Sequence, residues 1–130
     1  MARRLLMDNN QESVTYRKTI LIDIDGTILK HHQNLNKMVA DEPELIDGTI
    51  EKFLEWRKKQ YYIVLTTARV EGLRQVTQKQ LTDVGLFYDQ LVMGLPNGPR
   101  VLINDKKPEG TVTATAYCIE RDYGIRDIDE

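Results

Sequence analysis

The chain has 130 residues, 41% of them hydrophobic and 29% charged, with a formal net charge of −2. That is the size and make-up of one soluble globular domain, large enough to bury a single core without staples. The near balance of charge gives no global attraction to nucleic acid or to an anionic membrane, the single cysteine excludes an internal disulfide, and no apolar run approaches the ~18–20 residues of a membrane span.

Residues 1–17 are polar and aperiodic, and the apolar run at the start stops at Asp8, short of the ~7–15 residues of a signal-peptide core. These residues are expected to form a flexible arm ahead of one domain at 18–130, in a cytoplasmic protein. Thr19-Ile20-Leu21-Ile22-Asp23 is apolar and rich in β-branched residues, so it reads as a buried strand ending in the turn Asp25-Gly26-Thr27. Residues 28–46 are mixed and read as a loop, with His31-His32 as a solvated pair. From Thr49 to Lys59 the period becomes helical, with Ile50, Phe53, Leu54 and Trp56 as inner positions and Asp47 or Thr49 as caps. Tyr61–Leu65 is a second buried strand running into Thr66-Thr67-Ala68-Arg69. A second helix spans about Glu71–Val84, with Leu73, Val76 and Leu81 inward and Gly85 as its stop. Leu91-Val92-Met93 is a third strand. Val101-Leu102-Ile103 reads as a fourth, ending in Asn104-Asp105, and Thr113–Ile119 as a last one that buries Cys118. Continuous apolar strands separated by helices indicate an α/β domain with a mainly parallel sheet covered on both faces.

The polar residues collect where three of these strands end: Asp23 and Asp25, then Thr66-Thr67-Ala68-Arg69, then Asn104-Asp105. In open parallel sheets ligands bind beyond the carboxyl ends of the strands, so neighbouring strands would bring the three clusters into one crevice. Two close carboxylates with a third nearby repel unless a cation relieves them, and oxygen-only ligands select Mg²⁺. Asp-x-Asp also opens calcium loops, but the further ligand spacing of such a loop is absent here. A carboxylate nucleophile, a second carboxylate for proton transfer, and threonine hydroxyls for phosphate oxygens suit phosphoryl transfer through an aspartyl phosphate.

Asp23-Ile24-Asp25-Gly26-Thr27, Thr67-Ala68-Arg69 and Ile103-Asn104-Asp105 with Glu109 resemble, in order and spacing, the haloacid dehalogenase superfamily of phosphohydrolases. Within it, the chain looks like small capless members related to capsule- and polysaccharide-biosynthesis phosphatases. The resemblance implies a three-layer Rossmann-like fold without a full cap domain. It implies Asp23 as nucleophile and metal ligand, and Asp25 as general acid/base that also lends its backbone carbonyl to Mg²⁺. Thr66 or Thr67, with Thr67 favoured, would bind the phosphoryl group, Asp105 would complete the metal site and Glu109 would be the second acid there. The family's usual lysine is replaced: its place reads Gly94-Leu95-Pro96. Arg100 upstream and Lys106 downstream are the candidate substitutes, with Arg69 as a further phosphate-binding cation.

These residues point to a phosphomonoesterase for a sugar phosphate or related metabolite, with an open site that self-association or the arm could cover. A nucleotide or polynucleotide end phosphatase is the second reading and would need a basic strip, for which Arg69, Arg74, Lys79 and Arg100 are the candidates. A fold-retaining binding or regulatory module is the third, and the replaced lysine supports it.

Overall fold

The computed structural model describes residues 15–40 and 42–130; most of the expected arm therefore lies outside the described residues. Three parallel strands form the sheet: β1 (Lys18–Asp23), β2 (Tyr61–Thr66) and β3 (Gln90–Val92), in the order β1-β2-β3. Between β1 and β2 lie a short helix α1 (Leu35–Ala40) and α2 (Thr49–Lys58). Between β2 and β3 a 3₁₀ turn (Glu71–Leu73) leads into α3 (Arg74–Asp83). The α/β class and the parallel sheet are as the sequence indicates.

The register fixes which side chains share a face. Ile20 pairs with Ile63 and Ile22 with Leu65, which in turn pairs with Leu91. Because strand residues alternate between faces, these form one apolar surface. Phe53 and Trp56 of α2 and Leu81 of α3 close onto it in a single core with Ile24, Ile28, Leu29 and Ile125. Two same-direction crossovers put both helices on this face, as right-handed connections require. The opposite face carries Leu21, Val64 and Val92, of which Leu21 and Val92 remain exposed.

α2 follows its apolar period at Phe53 and Trp56, but Leu54 points to solvent and neither Asp47 nor Thr49 caps the helix. Its cap is Gly48 at φ 88°, and the Thr49 hydroxyl instead donates to the Ile46 carbonyl at 2.7 Å. The inner face of α3 is partly polar: Thr77 and Gln80 are buried beside Leu81. Residues 28–46, expected as loop, contain α1, whose first turn is capped by Asn34 Oδ1 accepting from the N–H of Asn36 (2.8 Å) and Lys37 (3.3 Å). Among the described residues no helix is long and apolar enough to cross a membrane.

The largest departure lies after β3. Neither 101–103 nor 113–119 forms a strand, and Cys118, expected in a buried strand, is exposed. A strand needs a neighbour for its N–H and C=O groups, and residues 93–100 do not carry the chain to one. The chain re-enters the fold only near its end. Asp122 N–H donates to the Gly26 carbonyl (2.8 Å), Ile125 enters the core, and the Glu130 carboxylate meets Lys18 Nζ at 2.7 Å.

Candidate functional site

Asp23 is the last residue of β1 and stays exposed at the carboxyl edge of the sheet. Its register partner on β2 is Thr66, so the two side chains stand next to each other on one face. The backbone then breaks from the strand. The N–H groups of Thr27, Ile28 and Leu29 all turn back to the Ile24 carbonyl, and Gly26 N–H donates to Leu29 C=O at 2.7 Å. Gly26 has φ +91°, and a Cβ there would stand 3.3 Å from Arg121 Cγ. Both the left-handed backbone and the close approach call for glycine. This turn separates the two carboxylates: Asp23 faces out, and Asp25 turns inward.

Asp25 is held by Arg69. Arg69 Nε donates to Asp25 Oδ2 (2.9 Å) and Nη2 to Oδ1 (2.8 Å), a bidentate pair in which the arginine side chain is 3% exposed and the aspartate 13%. The other guanidinium nitrogen, Nη1, donates to Thr77 Oγ1 (3.0 Å) and Gln80 Oε1 (2.6 Å) of α3. Gln80 Nε2 in turn donates to the Met38 carbonyl of α1 at 2.8 Å. A chain of bonds thus ties two helices to one carboxylate and fixes its orientation. The sequence makes Arg69 a candidate phosphate-binding cation. Here its donors are directed inward, and its burial keeps it from the open rim. Thr77 and Gln80 escaped the sequence reading, which sought apolar residues on the inner face of that helix.

Thr67 is also turned in. It is buried, and its Oγ1 accepts from the Arg69 N–H at 3.0 Å. Thr66, half-buried beside Asp23, is the more accessible of the two hydroxyls.

The electrostatics single out Asp23. Its carboxyl is raised above the ordinary aspartate value, first by partial loss of hydration at the strand end and then by the Asp25 carboxylate. The Ile24 N–H, the charge of Arg100 and the Thr27 hydroxyl pull the other way. Arg100 therefore lies within electrostatic reach of Asp23, while its Nη1 donates to the carbonyls of Pro96 (2.7 Å) and Gly98 (2.9 Å). Arg121 and His31 flank Gly26, and the His31 N–H is fixed by Asp122 Oδ1 at 2.9 Å. These C-terminal neighbours carry no local sequence signal; only the return of the chain brings them here.

Asp105, Lys106 and Glu109 stand apart, on an exposed ribbon. The Thr113 hydroxyl donates to the Asp105 carbonyl, Asn104 Nδ2 donates to Thr113 O (3.2 Å), and Lys107 N–H donates to Thr111 O (3.0 Å). The expected meeting of Asp23, Asp25 and Asp105 does not occur within one chain. Among the described residues no three His, Cys, Asp or Glu side chains are grouped so that they could hold a metal ion. Two cavities, of about 460 Å³ between α1 and α3 and about 250 Å³ near Tyr123, include neither Asp23 nor Asp25 among their lining residues.

No protein-family model matches the chain, and no curated protein matches it in sequence. Solved structures do match. A chain of a Pnkp1/Rnl/Hen1 complex superposes with a TM-score of 0.54 at 22% identity, over 70% of this chain and 32% of that one. A chain of the Pnkp1/Rnl/Hen1 RNA repair complex gives 0.52 at 24% identity, over 64% and 30%. A D,D-heptose 1,7-bisphosphate phosphatase from B. bronchiseptica, complexed with magnesium and phosphate, gives 0.46 at 22% identity, over 64% and 52%. The chain spans about a third of the first two neighbours and half of the third. The likeness is one of fold: a Rossmann-like parallel α/β domain.

Proposed function

We propose that this chain hydrolyses phosphomonoesters, with Asp23 as the nucleophile. The observation that carries the reading is the division of labour between two aspartates two residues apart. One is exposed at the carboxyl end of the sheet, and the other is locked in place behind it by a buried arginine. Asp23 Oδ attacks phosphorus and the ester P–O bond breaks, leaving an aspartyl phosphate. The departing oxygen takes its proton from solvent at the open rim, and the water that attacks phosphorus in the second half releases one there, because both Asp25 carboxylate oxygens accept from Arg69. Thr66, the register partner of Asp23, donates to a phosphoryl oxygen in this reading, and the charge of Arg100 offsets charge there.

Mg²⁺ is the cation whose chemistry suits an all-oxygen site of this kind. The described residues do not provide that site. Asp23 is available, both Asp25 carboxylate oxygens accept from Arg69, and Asp105 is out on the ribbon. No step above is routed through a metal.

A small phosphorylated metabolite or carbohydrate is the substrate class that fits an open rim. Of the candidate basic strip, Arg69 is buried on Asp25, Arg74 is bound to Glu71 and the Leu91 carbonyl, and Lys79 to Asp83. Of those four, Arg100 is the one left near Asp23, with Arg121 against Gly26 beside it; among the described residues this is little charge for tracking a polynucleotide backbone. The test is turnover of an aryl phosphate with Mg²⁺ and with chelator, beside Asp23→Asn. Turnover that survives Asp23→Asn, or none under any condition, would reject the reading.

A further inference from the structure

The turn that follows the two aspartates is met by the segment 121–130. A Cβ at Gly26 would stand 3.3 Å from Arg121 Cγ, 3.8 Å from its Nε and 3.7 Å from His31 Cβ. The two side chains therefore lie beside the same glycine. Their backbones are fixed there by Asp122. Its N–H donates to the Gly26 carbonyl at 2.8 Å, and its Oδ1 accepts from the His31 N–H at 2.9 Å. The residues that follow hold the segment down. Gly124 and Ile125 are buried, Lys52 Nζ donates to the Ile128 carbonyl (2.8 Å), and the Tyr61 hydroxyl donates to the Glu130 carbonyl (2.6 Å).

The charge of Arg121 has no partner in the fold. The residue is exposed, and among the described residues its guanidinium makes neither a hydrogen bond nor an ion pair. Other cations of these segments are engaged. Lys30 meets Glu44 at 3.7 Å, Arg69 sits on Asp25, Arg100 donates to the carbonyls of Pro96 and Gly98, and Arg126 lies over the Tyr123 ring at 5.2 Å.

Gly26 is three residues beyond Asp23, so their Cα atoms are at most about 11 Å apart. The three N–H groups gathered on the Ile24 carbonyl shorten that path. A small molecule with its phosphoryl group at Asp23 can therefore extend to Arg121. A guanidinium grips an oxyanion with two parallel N–H donors, and it keeps its charge at any working pH.

We propose that Arg121, with the His31 imidazole beside it, binds a second oxyanion of the substrate, a carboxylate or a phosphate that is not transferred. The inference rests on Asp23 as the place of the phosphoryl group. It narrows the substrate from phosphorylated metabolites in general to those with another anionic group a few bonds away. Asp122 is the positioning residue, since it holds Gly26 through its N–H and His31 through its carboxylate.

The test compares substrates that differ in the second anion. The pair 3-phosphoglycerate and glycerol 3-phosphate asks about a carboxylate; fructose 1,6-bisphosphate and fructose 6-phosphate ask about a phosphate. In the parent, kcat/KM should favour the doubly anionic member of at least one pair by about tenfold, the worth of one charge-assisted contact at an open rim. Arg121→Met keeps the stem on Gly26 and removes the charge, so the ratio should fall to within about twofold of one. Its thermal midpoint should stay that of the parent, because the side chain is exposed. Arg126→Met should leave the ratio as it is. Asp122→Ala should lower the ratio, and Asp122→Asn, which retains an accepting Oδ1, should restore it. Binding is read separately by titration calorimetry on Asp23→Asn, where the same preference, and its loss on adding Arg121→Met, are expected. A parent that discriminates in neither pair, or a preference that survives Arg121→Met, overturns the proposal. Preference in calorimetry with no turnover in the parent would uphold the Arg121 site and reject the enzymatic reading alone.

Discussion

Replacing Arg69 should damage the fold before it damages chemistry. Arg69→Ala removes four hydrogen bonds at once: two to Asp25 and one each to Thr77 and Gln80. Asp25, with 13% of its side chain exposed, then holds a negative charge with no partner. Removing one member of a buried ion pair costs about 3–5 kcal/mol, most of it the penalty of the stranded charge. The orphaned polar atoms of Thr77 and Gln80 add to this, and the residual access of water to Asp25 subtracts from it, so about 3–4 kcal/mol is expected. For a domain of this size that is a fall of roughly 10–20 °C in the thermal midpoint. It is also a large part of the ~5–15 kcal/mol that such a domain has.

The assay is urea unfolding of four proteins: parent, Arg69→Ala, Asp25→Ala and the double variant. If the pair acts as a unit, the double variant is more stable than the sum of the singles predicts by about 1–3 kcal/mol. Arg69→Lys should recover only part of the loss, because an ammonium cannot reproduce the two-pronged contact and still reach α3. A loss below about 1 kcal/mol for Arg69→Ala, or strict additivity in the cycle, would refute the claim that this arginine holds Asp25 in place.

Arg100→Ala should raise the Asp23 carboxyl further, since the arginine's charge is one of the influences lowering it. The acidic limb of kcat/KM for an aryl phosphate should then move to higher pH, while Arg100→Lys moves it less. Asp23→Asn should abolish turnover yet leave the protein at least as stable at neutral pH. The carboxyl is raised in the folded state, so the fold binds that proton more tightly than the unfolded chain does. The parent therefore carries a penalty as pH rises through the folded value, and none below the unfolded one. Thermal midpoints of the two proteins, followed in chelator from pH 7 downward, should converge. Gly26→Ala should destabilise by about 1–2 kcal/mol in urea, from the left-handed backbone alone, with the approach to Arg121 adding to it. Phe53→Ala, at a fully buried core position, should cost about 3–5 kcal/mol in the same assay.

The elements visible in the sequence are those whose signal is local. β1 and β2 are apolar runs ended by polar turns, and α2 shows its period at Phe53 and Trp56. Asp23 and Asp25 could be singled out because their spacing and the following glycine are contiguous in the chain. Local signals were also present and missed: Asn34 caps α1, and a capping asparagine ahead of a mixed segment is readable. The Arg69 network was beyond reach for a different reason. Its acceptors lie 44 residues back at Asp25 and 8 and 11 residues on at Thr77 and Gln80. A polar inner face on α3 looks, from periodicity alone, like a weak helix. Val101-Leu102-Ile103 shows the limit most clearly. β-branched apolar residues state that a segment suits a pleated, half-buried surface; they do not state which strand lies next to it. That depends on chain direction and on the length of the preceding connection. Among the described residues Val101-Leu102-Ile103 forms no strand and stays exposed, after a connection of only eight residues, 93–100, from β3.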